Sequence, residues 1–214
     1  MPADTTIVAN EIAHSNDFAH PAWVRTPHLL VSAGEADPFG GRTATRLEDA
    51  SAREHSTLSQ QISPMPGEWR TLLIWVRKDP QAETALFLRL LTPTGAGGIT
   101  LDPTDGSAAA GGALETEFNV SEGPDGWWRC ALAVKTPPGA DSQSVGIVPA
   151  IGYLKDAPRR DVAAMGSVVV YGAQLVTGRH VDPMPDYVEA RDLLPSWARA
   201  RNGAPVRAEQ PVPA

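Results

Sequence analysis

The sequence predicts an all-β fold, an antiparallel β-sandwich (jelly roll) with an irregular N-terminal segment and a short C-terminal helix or tail. Two observations lead to this prediction. Many short stretches alternate apolar with polar residues, and turns rich in Gly, Pro and Asp separate them. Stretches with helical periodicity are scarce. We expect an extended segment over residues 1–27, the sandwich over 28–190 and a Pro/Ala/Arg-rich tail over 191–214.

Alternation and turns predict the strands in order along the chain. The turn DPFGG precedes one strand, because Pro fixes φ and Gly permits a positive φ. Pro149 indicates an edge strand or a bulge, since Pro cannot donate to a ladder. The best helical stretch is PSWARAR, Pro195–Arg201. The predicted strands are His28–Gly34, Arg42–Glu48, His55–Ile62, Glu68–Lys78, Ala85–Leu91, Ile99–Asp102, Trp127–Val134, Ser144–Tyr153 and Gly166–Val176.

Composition excludes several classes of function. The formal net charge is −7 at pH 7, whereas a nucleic-acid-binding surface needs clustered Lys and Arg to neutralise phosphates. No segment approaches the run of about 20 apolar residues that a membrane-spanning helix needs. The N-terminus carries acids where a signal peptide carries bases, and the single Cys130 forms no intrachain disulfide. We therefore expect synthesis in the bacterial cytoplasm without a signal peptide.

The clearest strands each have one aliphatic and one mixed face, since successive side chains of a strand point to opposite sides of a sheet. The aliphatic faces, which we expect to form the core, are Leu72/Ile74/Val76, Leu86/Leu88/Leu90 and Trp128/Cys130/Leu132/Val134. The mixed faces pair an aromatic residue with an arginine and are expected to be half exposed. In GWWR the pattern places Trp128 in the core and Trp127 on the surface beside Arg129.

The mixed faces supply residue types that bind sugars. One side of a pyranose ring presents C–H groups that stack on an aromatic ring, and its hydroxyl groups bind planar polar side chains such as Arg. If the strands share one sheet, their pairs form a ladder of rings and guanidiniums. The alternative is that the N-terminal segment, the tail or a neighbouring subunit covers the ladder, with Arg stacked on Trp for packing. The candidate ligand-binding residues are Trp75, Arg77, Phe87, Arg89, Trp127 and Arg129, with Tyr171 and Gln174 as weaker additions on opposite faces of their strand.

Residues for catalysis or metal binding are not arranged in any recognised pattern. The five histidines lack ligand spacing, and His14 and His20 are expected in a solvated loop. Cys130 lies on the predicted core face and is expected to be an inert thiol. We therefore expect no enzyme activity and no cofactor. A structural calcium ion remains an alternative, because loops of sandwiches can gather oxygen ligands; its candidate ligands are Asp37, Asp49 and Asp102.

Several stretches follow one another over roughly residues 7–190: SNDF followed by Trp23, DPFGGRTATRLEDAS, HSTLSQQI, RTLLIWVRK, TLDPTDGS, GWWRCALAV, YGAQLVTG and PDYVEA. In this order they resemble a jelly-roll domain found in tail-fibre and head-spike proteins of bacteriophages and gene transfer agents. That domain is similar to carbohydrate-binding modules. The sequence departs from it at the start of the long strand, where the aromatic residue is Trp69 with Arg70 following, and the tail has no counterpart.

The resemblance implies a virion-associated, non-catalytic module of a fibre or spike. Such a module would recognise bacterial surface polysaccharide, such as capsule, for host attachment. Its expected partners are that glycan and other virion subunits, docked through the tail, in an oligomeric assembly. The alternative is a structural or adaptor protein of the virion, a spike or fibre connector with the same fold and no glycan site.

Overall fold

Two antiparallel sheets pack face to face in the computed structural model, which describes residues 10–152, 162–189 and the backbone of 199–200. The strands are β1 (Val24–Arg25), β2 (Leu29–Glu35), β3 (Ala44–Asp49), β4 (Leu58–Ile62), β5 (Trp69–Arg77), β6 (Ala85–Thr92), β7 (Gly95–Leu101), β8 (Ala108–Gly112), β9 (Thr116–Glu122), β10 (Trp127–Lys135), β11 (Gln143–Gly152), β12 (Val162–Ala163), β13 (Gly166–Thr177), β14 (Val188–Glu189) and β15 (Arg199–Ala200). The seven-stranded sheet has the order β1-β4-β11-β6-β7-β8, with β12 beside β11. The six-stranded sheet has the order β2-β3-β13-β5-β10-β9.

The core lies between the two sheets and consists of the aliphatic faces that alternation predicts. Neighbouring strands are in register, so that Ile74 on β5 lies opposite Cys130 on β10, and Leu88 on β6 lies opposite Ile147 on β11. These residues and their neighbours at every second position are buried in one cluster with members from both sheets. The predicted all-β sandwich is confirmed.

Trp128 belongs to this core, as predicted. Its indole N–H donates to the carbonyl of Pro103 at 3.0 Å, and the ammonium of Lys78 lies 4.1 Å from the ring centroid. Cys130 beside it is fully buried, and burial raises the pKa of its thiol, as expected for an inert cysteine.

The N-terminal segment contributes to the same core. Ile12, Phe18 and Trp23 are buried in the cluster, although the backbone that carries them is irregular up to β1. The amide of Asn10 donates to the carbonyls of Ala173 (3.1 Å) and Val188 (2.8 Å). The segment therefore binds β13 beyond the part of that strand that pairs with β3.

An ion pair joins the N-terminal segment to the first residues of β5. Arg70 shares the core face of its strand, and its side chain has 0% exposure. One of its Nη atoms donates to the carboxylate of Glu11 at 2.7 Å, and the other donates to the carbonyl of Ser63 at 2.9 Å. Burial lowers the pKa of Arg70, and the charge of Glu11 opposes this shift. A buried guanidinium is thus held by a carboxylate from outside the sheets.

All nine predicted strands are found, and the described residues contain no helix that could span a membrane. Pro149 lies where the register of β11 against β6 shifts, which confirms the bulge rather than the edge position. Alternation did not indicate β1, β8, β9, β12 or β14. The predicted helix Pro195–Arg201 lies outside the described residues except for Arg199–Ala200, which pair with β14 as a strand. The rest of the predicted tail also lies outside them.

We expect Glu11→Gln to lower the free energy of unfolding by about 1–3 kcal/mol, because the substitution leaves the buried Arg70 without a countercharge. Urea unfolding measures the loss, and Glu54→Gln in an exposed loop serves as the control. Equal stability of the two variants would show that the ion pair contributes nothing to the fold.

Candidate functional site

The six predicted binding residues all lie on outer faces of the sandwich, but on two different sheets. Trp75, Arg77, Trp127 and Arg129 belong to β5 and β10 of the six-stranded sheet, and Phe87 and Arg89 belong to β6 of the seven-stranded sheet. The condition for one continuous ladder, that the three strands share a sheet, is therefore not met. Alternation shows which side of a strand a residue occupies, but not which sheet the strand joins; β6 pairs with β11 and β7 instead of β5.

The outer face of the six-stranded sheet is covered by the protein's own chain. Trp127 is 3% exposed and Trp75 is 8% exposed, so the prediction of a surface Trp127 was wrong. Residues 179–188, which follow β13, lie over this face, and we call them the covering segment. Tyr187 of this segment is buried in one cluster with both tryptophans and with Tyr171. Gly172 makes room for it, because a Cβ there would lie 2.9 Å from the Tyr187 ring.

Arg129 is enclosed under the same cover. Its guanidinium carbon lies 5.2 Å from the centroid of the Trp75 ring, and one Nη donates to the carbonyl of Pro185. Burial lowers the pKa of Arg129, and the charge of Asp186 opposes this shift. The alternative interpretation, an arginine stacked on tryptophan under a cover, describes this pair. The cover is the covering segment rather than the N-terminal segment.

Arg77 lies at the margin of this face and is paired. Glu35 binds the guanidinium of Arg77 at 2.9 Å and that of Arg46 at 3.0 Å. The pKa of Glu35 is lowered, chiefly by the hydrogen bond from Arg77 and also by Arg46, although desolvation acts to raise it. Arg46, Arg77 and Lys78 line a cavity of about 190 Å³. Lys78 is itself paired with Glu122 at 2.7 Å, so each cation of the cavity already has a carboxylate partner.

The outer face of the seven-stranded sheet has a different character. Its central strand β6 presents Phe87, Arg89 and Leu91, of which Leu91 is 38% exposed and the other two are half-buried. The positions around these three side chains are small. In the row of Arg89, the cross-strand neighbours are Ser59 on β4, Gly146 on β11, Gly98 on β7 and Gly111 on β8. In the adjoining rows lie Ser144, Val148, Ala96, Thr100 and Ala109.

The glycines of this face shape the positions of the two larger side chains. A Cβ at Gly98 would lie 2.7 Å from the Phe87 ring, and one at Gly111 would lie 3.6 Å from it. A Cβ at Gly146 would lie 2.9 Å from Nε of Arg89. The ring therefore occupies the space over β7 and β8, and the guanidinium extends over β11. Sequence reasoning missed these glycines, although glycine inside a strand is a signal of close approach.

Arg89 has few partners for a half-buried cation. Its Nη2 lies 3.5 Å from the hydroxyl oxygen of Thr57, a long hydrogen bond, and its Nε is buried without a partner among the described residues. Burial lowers the pKa of Arg89. Thr100, the cross-strand neighbour of Phe87, also has a buried hydroxyl without a partner in the described part of the chain. Both unpaired atoms are buried, and they lie next to an aromatic ring.

The candidate calcium ligands lie in separate loops and hold those loops together. Asp37 accepts from the hydroxyl of Thr43 at 2.8 Å and from three backbone N–H groups; these bonds lower its pKa although burial, the largest single influence, raises it. Asp49 accepts from Ser56, and Asp102 accepts from Thr104. Within residues 10–152 and 162–189, no three His, Cys, Asp or Glu side chains form a metal-binding group.

Comparison with known proteins gives likenesses of fold only. No family model and no curated protein matches the chain. Among solved structures, the chain is similar to the enzymatically active domain of bacteriophage CBA120 tailspike protein 4, with TM-score 0.46 and 15% identity over 78% of this chain and 21% of that one. It is also similar to the CBM22-1 xylan-binding domain of Paenibacillus barcinonensis Xyn10C, with TM-score 0.48 and 10% identity over 80% and 96%. A third is the mannan-recognising carbohydrate-binding module TmCBM27, with TM-score 0.41 and 12% identity over 81% and 98%.

We expect Trp127→Ala to lower the free energy of unfolding by about 3–5 kcal/mol, because the substitution empties a closed aromatic cluster. Phe87→Ala removes a half-exposed ring and should cost about 1–2 kcal/mol. Urea unfolding of both variants tests the assignment of covered and uncovered faces. Equal losses, or a Trp127→Ala variant as stable as the parent, would contradict the buried position of Trp127.

We expect the stabilisation by Glu35 to depend on pH. Its pKa is lowered in the folded state, so its contribution is present above the unfolded value of 4.5 and is lost as pH falls through the folded pKa. Because the three side chains are partly exposed, Glu35→Gln should cost at most about 1 kcal/mol at pH 7 and nothing in strong acid. Thermal unfolding across pH measures this difference, with Glu68→Gln as an exposed control. A difference that grows in acid would contradict the sign.

Proposed function

We propose that this chain is a non-catalytic carbohydrate-binding protein that holds a polysaccharide across the outer face of the seven-stranded sheet. The observation that carries the proposal is the pair Phe87 and Arg89. They stand half-buried on the central strand, with glycines beside Arg89 and the buried cluster of Ala85, Val148 and Ile151 beside Phe87.

The chemistry of this face suits a sugar chain. The ring of Phe87 offers an apolar surface to the C–H side of a pyranose, and the guanidinium of Arg89 offers N–H donors to its oxygens. The two side chains are two residues apart on one face, about 6.8 Å along the strand, within reach of adjoining sugar units. Gly98 and Gly146 make room for the Phe87 ring and for the Arg89 side chain, which lie over the neighbouring strands.

The composition of the face supports binding without hydrolysis. Glycosidases commonly use two carboxyl groups that flank the scissile bond. The described strand positions of this face carry Gly, Ala, Ser, Thr, Val, Ile, Leu, Phe, Arg and Gln, and none of them is Asp or Glu.

We further propose that the glycan is a bacterial surface polysaccharide and that the protein acts on a virion, as part of a fibre or spike. This step rests on the resemblance of the sequence to such domains. A single shallow site of this kind binds weakly, and several copies on one particle would raise the overall affinity through avidity. The alternative is a connector of the fibre or spike without a glycan site, and the following experiment separates the two.

We expect fluorescent beads that display many copies of the protein to bind capsulated bacteria. The same beads should not bind isogenic strains that lack capsule. Phe87→Ala should reduce binding about tenfold, since a buried aromatic contact contributes on the order of 1.5 kcal/mol. Flow cytometry measures the bound beads. Leu30→Ala is the matched control, because Leu30 is 51% exposed on an edge strand of the other sheet.

Absence of binding to every capsulated strain would favour the connector. Capsule-dependent binding that Phe87→Ala leaves unchanged would place the glycan site elsewhere on the protein.

A further inference from the structure

Three arginines of this protein are buried or half-buried, and they differ in their countercharges. Arg70 binds the carboxylate of Glu11, and the charge of Asp186 acts on Arg129. Arg89 has no carboxylate partner among the described residues, and its hydrogen-bond partner is the hydroxyl of Thr57. Desolvation is the one cause that acts on the pKa of Arg89. Removing a cation from water without supplying a countercharge costs free energy. The position of Arg89 therefore needs an explanation.

We infer that the polysaccharide bound on this face is acidic, and that Arg89 receives the carboxylate of a uronic-acid type of sugar while Phe87 contacts a sugar ring. This inference rests on the function proposed above and names the class of its ligand. A guanidinium is flat and presents paired N–H donors that match the two oxygens of a carboxylate. The bound carboxylate would supply the countercharge that the protein supplies to Arg70 and Arg129.

The surroundings of Arg89 favour a ligand group over a missing protein partner. Its neighbours across the strands are Gly146 and Gly98, which have no side chains that could pair with the guanidinium. Its Nη atoms make one long hydrogen bond among the described residues, to Thr57 at 3.5 Å, so donors remain for an incoming oxygen. The whole protein carries a net charge of −7 and repels polyanions in general. Attraction of an acidic polymer therefore has to come from a local site.

The experiment compares acidic polymers with their own neutral derivatives. Polygalacturonate, alginate and hyaluronan are immobilised as such and after chemical reduction of their carboxyl groups to primary alcohols. Xylan and mannan serve as natural neutral polymers, and dextran sulfate serves as an anion without carboxylate. The full-length protein is displayed densely on beads so that weak sites are detected. The variants are Arg89→Gln, Arg89→Lys, Phe87→Ala and Arg42→Gln, the last being an exposed arginine in a loop between two strands of the other sheet.

We expect the protein to bind at least one uronate polymer and to lose about tenfold or more in affinity when its carboxyl groups are reduced, as for a hydrogen bond between charged groups. Arg89→Gln should lower the affinity for the acidic polymer by the same factor. This variant should then bind the native and the reduced polymer equally. Arg89→Lys should retain part of the preference, and Arg42→Gln all of it. Phe87→Ala should weaken both forms alike. Circular dichroism and urea unfolding confirm that each variant is folded.

Several outcomes would overturn the inference. Equal binding to native and reduced polymers would exclude an acidic ligand and leave the carbohydrate-binding function standing. Binding to xylan or mannan that depends on Phe87 would have the same meaning. Equal binding to dextran sulfate would replace carboxylate recognition by a general response to negative charge. A preference for uronates that survives Arg89→Gln would remove Arg89 as its source. Absence of binding to every polymer would overturn the proposed function together with this inference.

Discussion

The packing of two aliphatic faces against each other is the constraint on which the rest of this molecule depends. Leu, Ile and Val at every second position of β5, β6, β10 and β11 fill the space between the sheets. Because side chains of a strand alternate, the rings and guanidiniums at the intervening positions must lie on an outer face. The core therefore determines that Trp75, Phe87 and Trp127 are available for packing or binding outside it.

The two outer faces differ in how far the protein's own chain covers them. On the six-stranded sheet, Tyr187 and its neighbours in the covering segment enclose the tryptophans and Arg129, and the face becomes a second, smaller core. On the seven-stranded sheet, Phe87, Arg89 and Leu91 stay at least partly exposed. The same kind of strand, an aromatic residue followed two positions later by arginine, is thus covered in one sheet and left partly exposed in the other.

Local pattern was sufficient for nine of the strands and for the inward faces, including the burial of Trp128 and Cys130, because alternation depends on adjacent residues alone. It could not assign β5 and β6 to different sheets, since pairing is decided by strands far apart in the chain. Nor could it show that Tyr187, sixty residues after Trp127, would cover that ring. Two of the six predicted binding residues, Phe87 and Arg89, remain in the proposed site, and the role of Gly98 and Gly146 emerged from cross-strand register, which a single strand does not reveal.

The hydrogen bonds of Asn10 to Ala173 and Val188 have a mechanical consequence. They hold the two ends of the described domain together at β13 of the six-stranded sheet, whereas the proposed glycan face lies on the outside of the other sheet. Tension between a bound polymer and a tether at either end would therefore run through the thickness of the sandwich. Such a load pulls the sheets apart instead of sliding strands past one another, and it is resisted by the apolar core rather than by the ladders of backbone hydrogen bonds.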